Sequence, residues 1–159
     1  MVRICDKEYT NKDYNDIFDK YPFPLSDFQK YAIEAIELDK HILVTAHTGS
    51  GKTLPAEYAL QKFVADGKKV IYTAPIKALS NQKFYEFTKK YPNISFGILT
   101  GDIKFNPEAD CLIMTTEILR NALFHKQEVK DFQIDIDTEL ACVVFDEVHY
   151  INDADRGKV

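Results

Sequence analysis

Short apolar runs alternate with longer amphipathic stretches along the chain. His41-Ile42-Leu43-Val44-Thr45 and Leu140-Ala141-Cys142-Val143-Val144-Phe145 read as buried parallel strands, and further strands are predicted at 70–74, near 94–99 and at 111–114. Between them, helices are predicted after Lys52, from about Lys77 to Lys89 and from Thr116 to Phe124. Ahead of them, Ser26 looks like an N-cap, and Phe28, Tyr31, Ala32, Ala35, Ile36 and Leu38 recur at helical spacing. The region to about Tyr21 is polar, with a short helix expected around Asn11 to Lys20, and Pro22-Phe23-Pro24 then turns the chain. Strand and helix alternate throughout, which predicts an α/β fold of three layers around a mostly parallel sheet.

Chemistry concentrates where two of these strands end. Ala46-His47-Thr48-Gly49-Ser50-Gly51-Lys52-Thr53 joins a strand to a helix. Gly49 and Gly51 permit positive φ and keep side chains away from backbone N–H groups, and the helix start adds free amides and partial positive charge. Such a loop is an anion nest for a nucleotide, with Thr48, Gly49, Ser50 and Gly51 around the phosphates. Lys52 is placed to reach the β- and γ-phosphates, and the Thr53 hydroxyl to ligate Mg²⁺. Pro55 falls in the first helical turn, where a missing N–H costs little. At the end of the last strand, Asp146 is placed to hold Mg²⁺ and Glu147 to orient and deprotonate an attacking water. ATP and Mg²⁺ are therefore the expected cofactors.

Composition narrows the picture. The chain has 159 residues, 45% of them hydrophobic, enough for one globular domain with a core. No stretch is apolar and long enough to cross a membrane, and the first residues do not form a signal peptide. The 3 cysteines, Cys5, Cys111 and Cys142, are widely spaced and read as small buried hydrophobes in a reducing compartment; they share no metal-ligand spacing with the four histidines. Net charge is −5, from 25 acids and 20 bases, so any nucleic-acid binding must come from a local groove.

A set of ordered motifs now becomes informative: Ala46-His47-Thr48 entering the phosphate loop, Pro75-Ile76-Lys77-Ala78-Leu79-Ser80-Asn81-Gln82-Lys83, Thr100-Gly101-Asp102, Thr115-Thr116-Glu117-Ile118-Leu119-Arg120, Phe145-Asp146-Glu147-Val148-His149-Tyr150 and Asp155-Arg156-Gly157. From about Phe23 onward the chain resembles the superfamily-two DExH-box helicases, and within them the superkiller and exosome-cofactor branch of RNA helicases. The Asp-Ile-Asp and Tyr-Ile-Asn-Asp sequences also resemble those of giant DNA virus helicases. The resemblance implies an N-terminal extension over 1–21 and a first RecA-like P-loop NTPase domain over 22–159. It implies a catalytic set of Lys52, Asp146, Glu147 and His149, with Phe23 stacking on adenine and Gln29 reading its edge. Pro75, Lys77 and Ala78, then Thr100 and Gly101, then Thr115, Thr116 and Arg120 would grip RNA phosphates. Lys83, Lys89 and Lys90 are expected to be solvated helix charges.

Gly49-Ser50 replaces the Ser-Ala common in that branch, and the acidic stretch from Gln127 to Glu139 is expected to form a surface loop or strand extension. The residues end before the Ser-Ala-Thr motif, whose strand the family places between the phosphate-loop strand and the Asp-Glu strand, and before the second RecA-like domain with its arginine finger. The expectation is thus the ATP-binding part of an intracellular, cytoplasmic or nuclear, 3′ to 5′ RNA helicase. Its partners would be RNA and a second RecA-like domain in the same polypeptide, with no membrane association. A DNA helicase of the same superfamily and a truncated, non-catalytic nucleotide- or partner-binding module are the alternatives, since backbone grips do not separate RNA from DNA.

Overall fold

The computed structural model describes residues 2–47, 49–124 and 134–149, so Thr48, Tyr150, the Asp155-Arg156-Gly157 motif and most of the acidic stretch lie outside the described residues. The chain gathers into two compact units, residues 1–59 and 60–159, and helix α3, Thr53–Ala65, runs across that division.

In the first unit, α1 (Asn15–Phe18) is a single turn, shorter than the helix expected from Asn11. The Asn11 side chain instead accepts the backbone N–H of Asp13 at 3.0 Å, a local bond that competes with helix. Helix α2 (Asp27–Glu37) starts after Ser26 as predicted. Its inner face matches the expected one in part: Ala32 and Ile36 are buried as expected, but with Gln29 and Ile33 beside them, whereas Leu38 lies past the helix and is half exposed. The stripe has rotated because Tyr9, Phe18 and Leu25 pack on Ile33, with the Tyr9 ring edge-on to Phe18 and Tyr31. Pro55 is buried in the first turn of α3, where its missing N–H was expected to be harmless.

Residues 41–47 form no strand, and Leu43 is 74% exposed, against the expectation of a buried one. The second unit holds the sheet: β1 (Lys69–Ala74), β2 (Phe96–Leu99), β3 (Lys104–Phe105), β4 (Cys111–Thr115) and β5 (Leu140–Phe145), in the order β3-β2-β4-β1-β5. All pairs are parallel except the β2–β3 hairpin, a strand the hydrophobic pattern does not announce. Helix α4 (Lys77–Lys90) covers one face, with Phe87 edge-on to Tyr72 at 5.2 Å, and α5 (Thr116–Phe124) covers the other through Leu119 against Ile71, Leu112 and Met114. Strands β1, β2 and β4 are buried almost throughout, but β5 is an edge strand, half exposed along its length. An apolar run stays a buried strand only where neighbours take its backbone groups: among the described residues β5 pairs with β1 alone, and 41–47 pair with no strand.

Two details shape the sheet's far edge. A Cβ on Gly97 would collide with the Asn106 carbonyl oxygen, so only glycine lets β3's exit pass over β2. Ile134, the first described residue after the acidic stretch, is buried with Ile71 and Leu99, so at least this part is anchored in the core instead of lying on the surface. Cys111 is buried in β4 and Cys142 partly so in β5, while Cys5 is exposed, contrary to expectation; all three are free. Burial pushes the Cys142 thiol up to about 11 and the Cys111 thiol higher, so neither is a ready nucleophile.

Candidate functional site

In the first unit, the phosphate loop has the backbone its glycines predict. Gly49 and Gly51 both sit at φ +81°, the region where a side chain is strained. The Ser50 N–H and hydroxyl both donate to the His47 carbonyl, at 3.2 and 2.6 Å, and the Leu54 N–H donates to the Gly51 carbonyl at 3.2 Å as α3 begins at Thr53. Lys52 and Thr53 are half-buried at the helix start, where amides lack intrahelical partners.

Gln29 is bound to this loop. Its Oε1 accepts the Ser26 N–H at 2.9 Å at the head of α2, and its Nε2 donates to the Gly51 carbonyl at 3.1 Å. A Cβ on Gly51 would lie 2.6 Å from that nitrogen. The amide keeps one further N–H and acceptor lone pairs beside these two bonds, but the side chain is only 6% exposed. Phe23 is half exposed, its ring 6.0 Å from that of Tyr21, and free to offer a face.

The second unit brings the other motifs to one edge of the sheet. Because β1, β2, β4 and β5 are parallel, their C-terminal ends align: Ala74 registers with Thr115, Leu99 with Met114 and Thr73 with Phe145. Pro75 and Lys77 leave β1 into α4, Thr100 and Gly101 leave β2, and Thr115 and Thr116 pass from β4 into α5, which carries the exposed Arg120. Lys77 and Ala78 are exposed, and the Lys77 ammonium lies 2.6 Å from Asp102 Oδ1. That hydrogen bond holds the Asp102 carboxyl below the usual carboxylate range. The Thr100 hydroxyl accepts the Ile103 N–H at 3.2 Å and closes the turn that carries Gly101. The starts of α4 and α5 present amides without intrahelical partners, groups that grip phosphates without reading bases, whereas Thr100 and Thr115 are themselves buried, at 5% and 8% exposure.

At the end of β5, the Asp146 N–H donates to the Thr73 carbonyl at 2.9 Å, extending the ladder to the acid itself. Asp146 Oδ2 accepts the Tyr72 hydroxyl at 2.6 Å and Oδ1 accepts the Glu147 N–H at 2.9 Å. Burial, then the neighbouring Asp146 charge, push the Tyr72 phenol far above its ordinary value, so it acts as a donor. Glu147 has φ +52°, unusual for a residue with a Cβ, and its Oε2 lies 3.1 Å from His149 Nδ1.

A magnesium ion fits this chemistry. Within the second unit Asp146 offers hard oxygens, and its two bonds leave lone pairs on the carboxylate; within the first, the Thr53 hydroxyl is an oxygen donor of the same kind. Among the described residues no group of three or more His, Cys, Asp or Glu could hold a metal; a magnesium ion here would take its other positions from water and nucleotide phosphates. Sequence reading missed Tyr72, which looks like any core aromatic in a strand, and the bond from Gln29 to Gly51, which links residues far apart in the chain.

The fold and the sequence both have known relatives. The solved Sulfolobus solfataricus SWI2/SNF2 ATPase core, in complex with dsDNA, superposes with a TM-score of 0.55 over 81% of this chain and 27% of that one, at 19% identity, a likeness of fold. The ATP-dependent RNA helicase mtr4 of Schizosaccharomyces pombe is 48% identical over 139 residues, 87% of this chain and 12% of the relative. The antiviral helicase SKI2 of Saccharomyces cerevisiae is 48% identical over 87% of this chain and 10% of its own length. The human exosome RNA helicase MTR4 is 46% identical over 88% of this chain and 13% of its own. The chain thus spans only about an eighth or less of these relatives' length. A sequence profile for the DEAD/DEAH box helicases matches residues 26–159, and with these identities it establishes that the chain belongs to the DEAD/DEAH box helicase family.

Proposed function

We propose that residues 22–159 form the first RecA-like, ATP-binding domain of an ATP-dependent 3′ to 5′ RNA helicase, in which hydrolysis drives RNA unwinding. The observation that supports this reading is the alignment of four parallel strand ends, which brings Pro75, Lys77, Thr100, Gly101, Thr115, Thr116 and Asp146 to one edge of the sheet. Lys52 and the amides of the glycine loop hold the nucleotide phosphates, Thr53 and Asp146 hold the magnesium, and Glu147, with His149 against it, orients the attacking water. Phe23 and Gln29 hold adenine. Pro75, Lys77, Ala78, Thr100, Gly101, Thr115, Thr116 and Arg120 hold the RNA backbone. RNA is favoured over DNA because the relatives at 46–48% identity are named RNA helicases. A second RecA-like domain in the same polypeptide supplies the transition-state arginine, and the setting is intracellular.

The test is an ATPase assay on a polypeptide carrying both RecA-like domains. RNA should stimulate hydrolysis more than DNA of equal length, and Glu147→Gln should remove the stimulated rate while sparing ATP binding. Equal stimulation by DNA would favour the DNA-helicase reading, and hydrolysis that survives Glu147→Gln would contradict the assigned base. Gln29→Ala should reduce the preference for ATP over GTP and, through the bond to Gly51, weaken both.

A further inference from the structure

We propose that Tyr72 is a positioning residue for the magnesium site: its hydroxyl fixes the Asp146 carboxylate in the orientation that receives the ion. The inference rests on the reading of Asp146 as a magnesium ligand. Three bonds define the acid's geometry, and two of them have backbone donors: Asp146 N–H to the Thr73 carbonyl, and Glu147 N–H to the side-chain Oδ1. Any residue in β1 could supply the first. Among the described residues the Tyr72 hydroxyl, 2.6 Å from Oδ2, is the side-chain donor on the carboxylate, and with the Glu147 N–H on Oδ1 it fixes the rotation of the group at both oxygens.

The phenol is itself rigid. Tyr72 is 2% exposed, paired in register with Ile113 on one side and Val144 on the other, and its ring meets Phe87 of α4 edge-on. A phenylalanine would fill the same volume, so packing alone does not call for the oxygen. A buried hydroxyl needs a partner, and here the partner is the functional acid. A carboxylate held at both oxygens loses little further freedom when an ion arrives, whereas one held only at Oδ1 must be ordered on binding.

The experiment uses Tyr72→Phe in the full 159-residue chain, with Mn²⁺ as the spectroscopic probe in place of Mg²⁺. Mn²⁺ affinity is read by electron paramagnetic resonance in the presence of ATP, and ATP affinity is read separately in EDTA. The expected result is a Mn²⁺ dissociation constant raised about 10- to 100-fold, the usual effect of losing a partner of a metal ligand, with metal-free ATP affinity unchanged. Phe87→Leu disturbs the same packing without touching the oxygen and should leave Mn²⁺ affinity in place. Unchanged Mn²⁺ affinity in Tyr72→Phe overturns the inference, as does an equal loss in Phe87→Leu, which would make the effect one of packing. A wild-type chain that binds ATP but recruits no Mn²⁺ removes the magnesium assignment of Asp146 and the inference with it. A chain that binds no ATP at all overturns the ATP-binding reading first, and the inference falls with it.

Discussion

The phosphate loop and the Asp146 turn each follow an apolar run, yet they are built by different means. Loop residues 49–53 take their shape from their own backbone: two glycines at positive φ, a serine folded back on His47 and a helix start at Thr53. That shape is present although the preceding run, 41–47, is not a strand. Asp146 depends on its strand. Its position follows from the β1–β5 register, the bond to Thr73 and the phenol of Tyr72. A locally coded site persists without its sheet, whereas a register-coded site is only as secure as the strand that carries it.

If so, the two should fail differently. The largest effect belongs to the register-coded side: Ile71→Ala empties a fully buried position in β1 and should cost about 2–5 kcal/mol in urea unfolding. Phe145→Ala, at the exposed end of β5, should cost about 1 kcal/mol or less, and similar losses at both positions would contradict the edge assignment. On the locally coded side, Gly51→Ala forces a side chain into positive φ, at about 1–2 kcal/mol, and pushes on Gln29 Nε2. It should weaken ATP binding while circular dichroism of the sheet stays unchanged; full ATP affinity would break the comparison. Lys77→Ala should weaken RNA binding equally across sequences and lower the salt slope by about one; a loss confined to one sequence would argue against a backbone grip.

The smallest effect is electrostatic. Asp102, held by Lys77, should titrate below free aspartate by carbon-detected NMR and return to the ordinary range in Lys77→Ala. With its folded pKa depressed, the pair is intact above the ordinary aspartate range and is lost as pH falls through the lowered value. Both side chains are more than half exposed, so global stability should scarcely register it.

Legibility in the sequence follows the same division. Glycine spacing, Ser26, Pro55 and the limits of α4 and α5 were readable because each depends on neighbours in the chain. Strands β1 and β4 were readable because they are buried on both faces and so carry continuous apolar runs, Val70-Ile71-Tyr72 and Cys111-Leu112-Ile113-Met114. What escaped depends on distant partners. The apolar composition of 41–45 is that of a buried strand, and no pattern within it reveals whether a neighbour is there. Gln29 reads as a polar helix residue until Gly51 is placed beside it, and Tyr72 reads as core until Asp146 is. Strand β3, two residues long and exposed, has no periodicity to detect.

The central claim is that this chain holds ATP through its glycine loop, and calorimetric titration of Mg-ATP into the wild type and Lys52→Ala tests it most directly. Wild type should bind, and loss of the ammonium paired with the β- and γ-phosphates should weaken binding by about 1.5–3 kcal/mol, the worth of a charged hydrogen bond. Equal affinities in the two proteins would contradict the account.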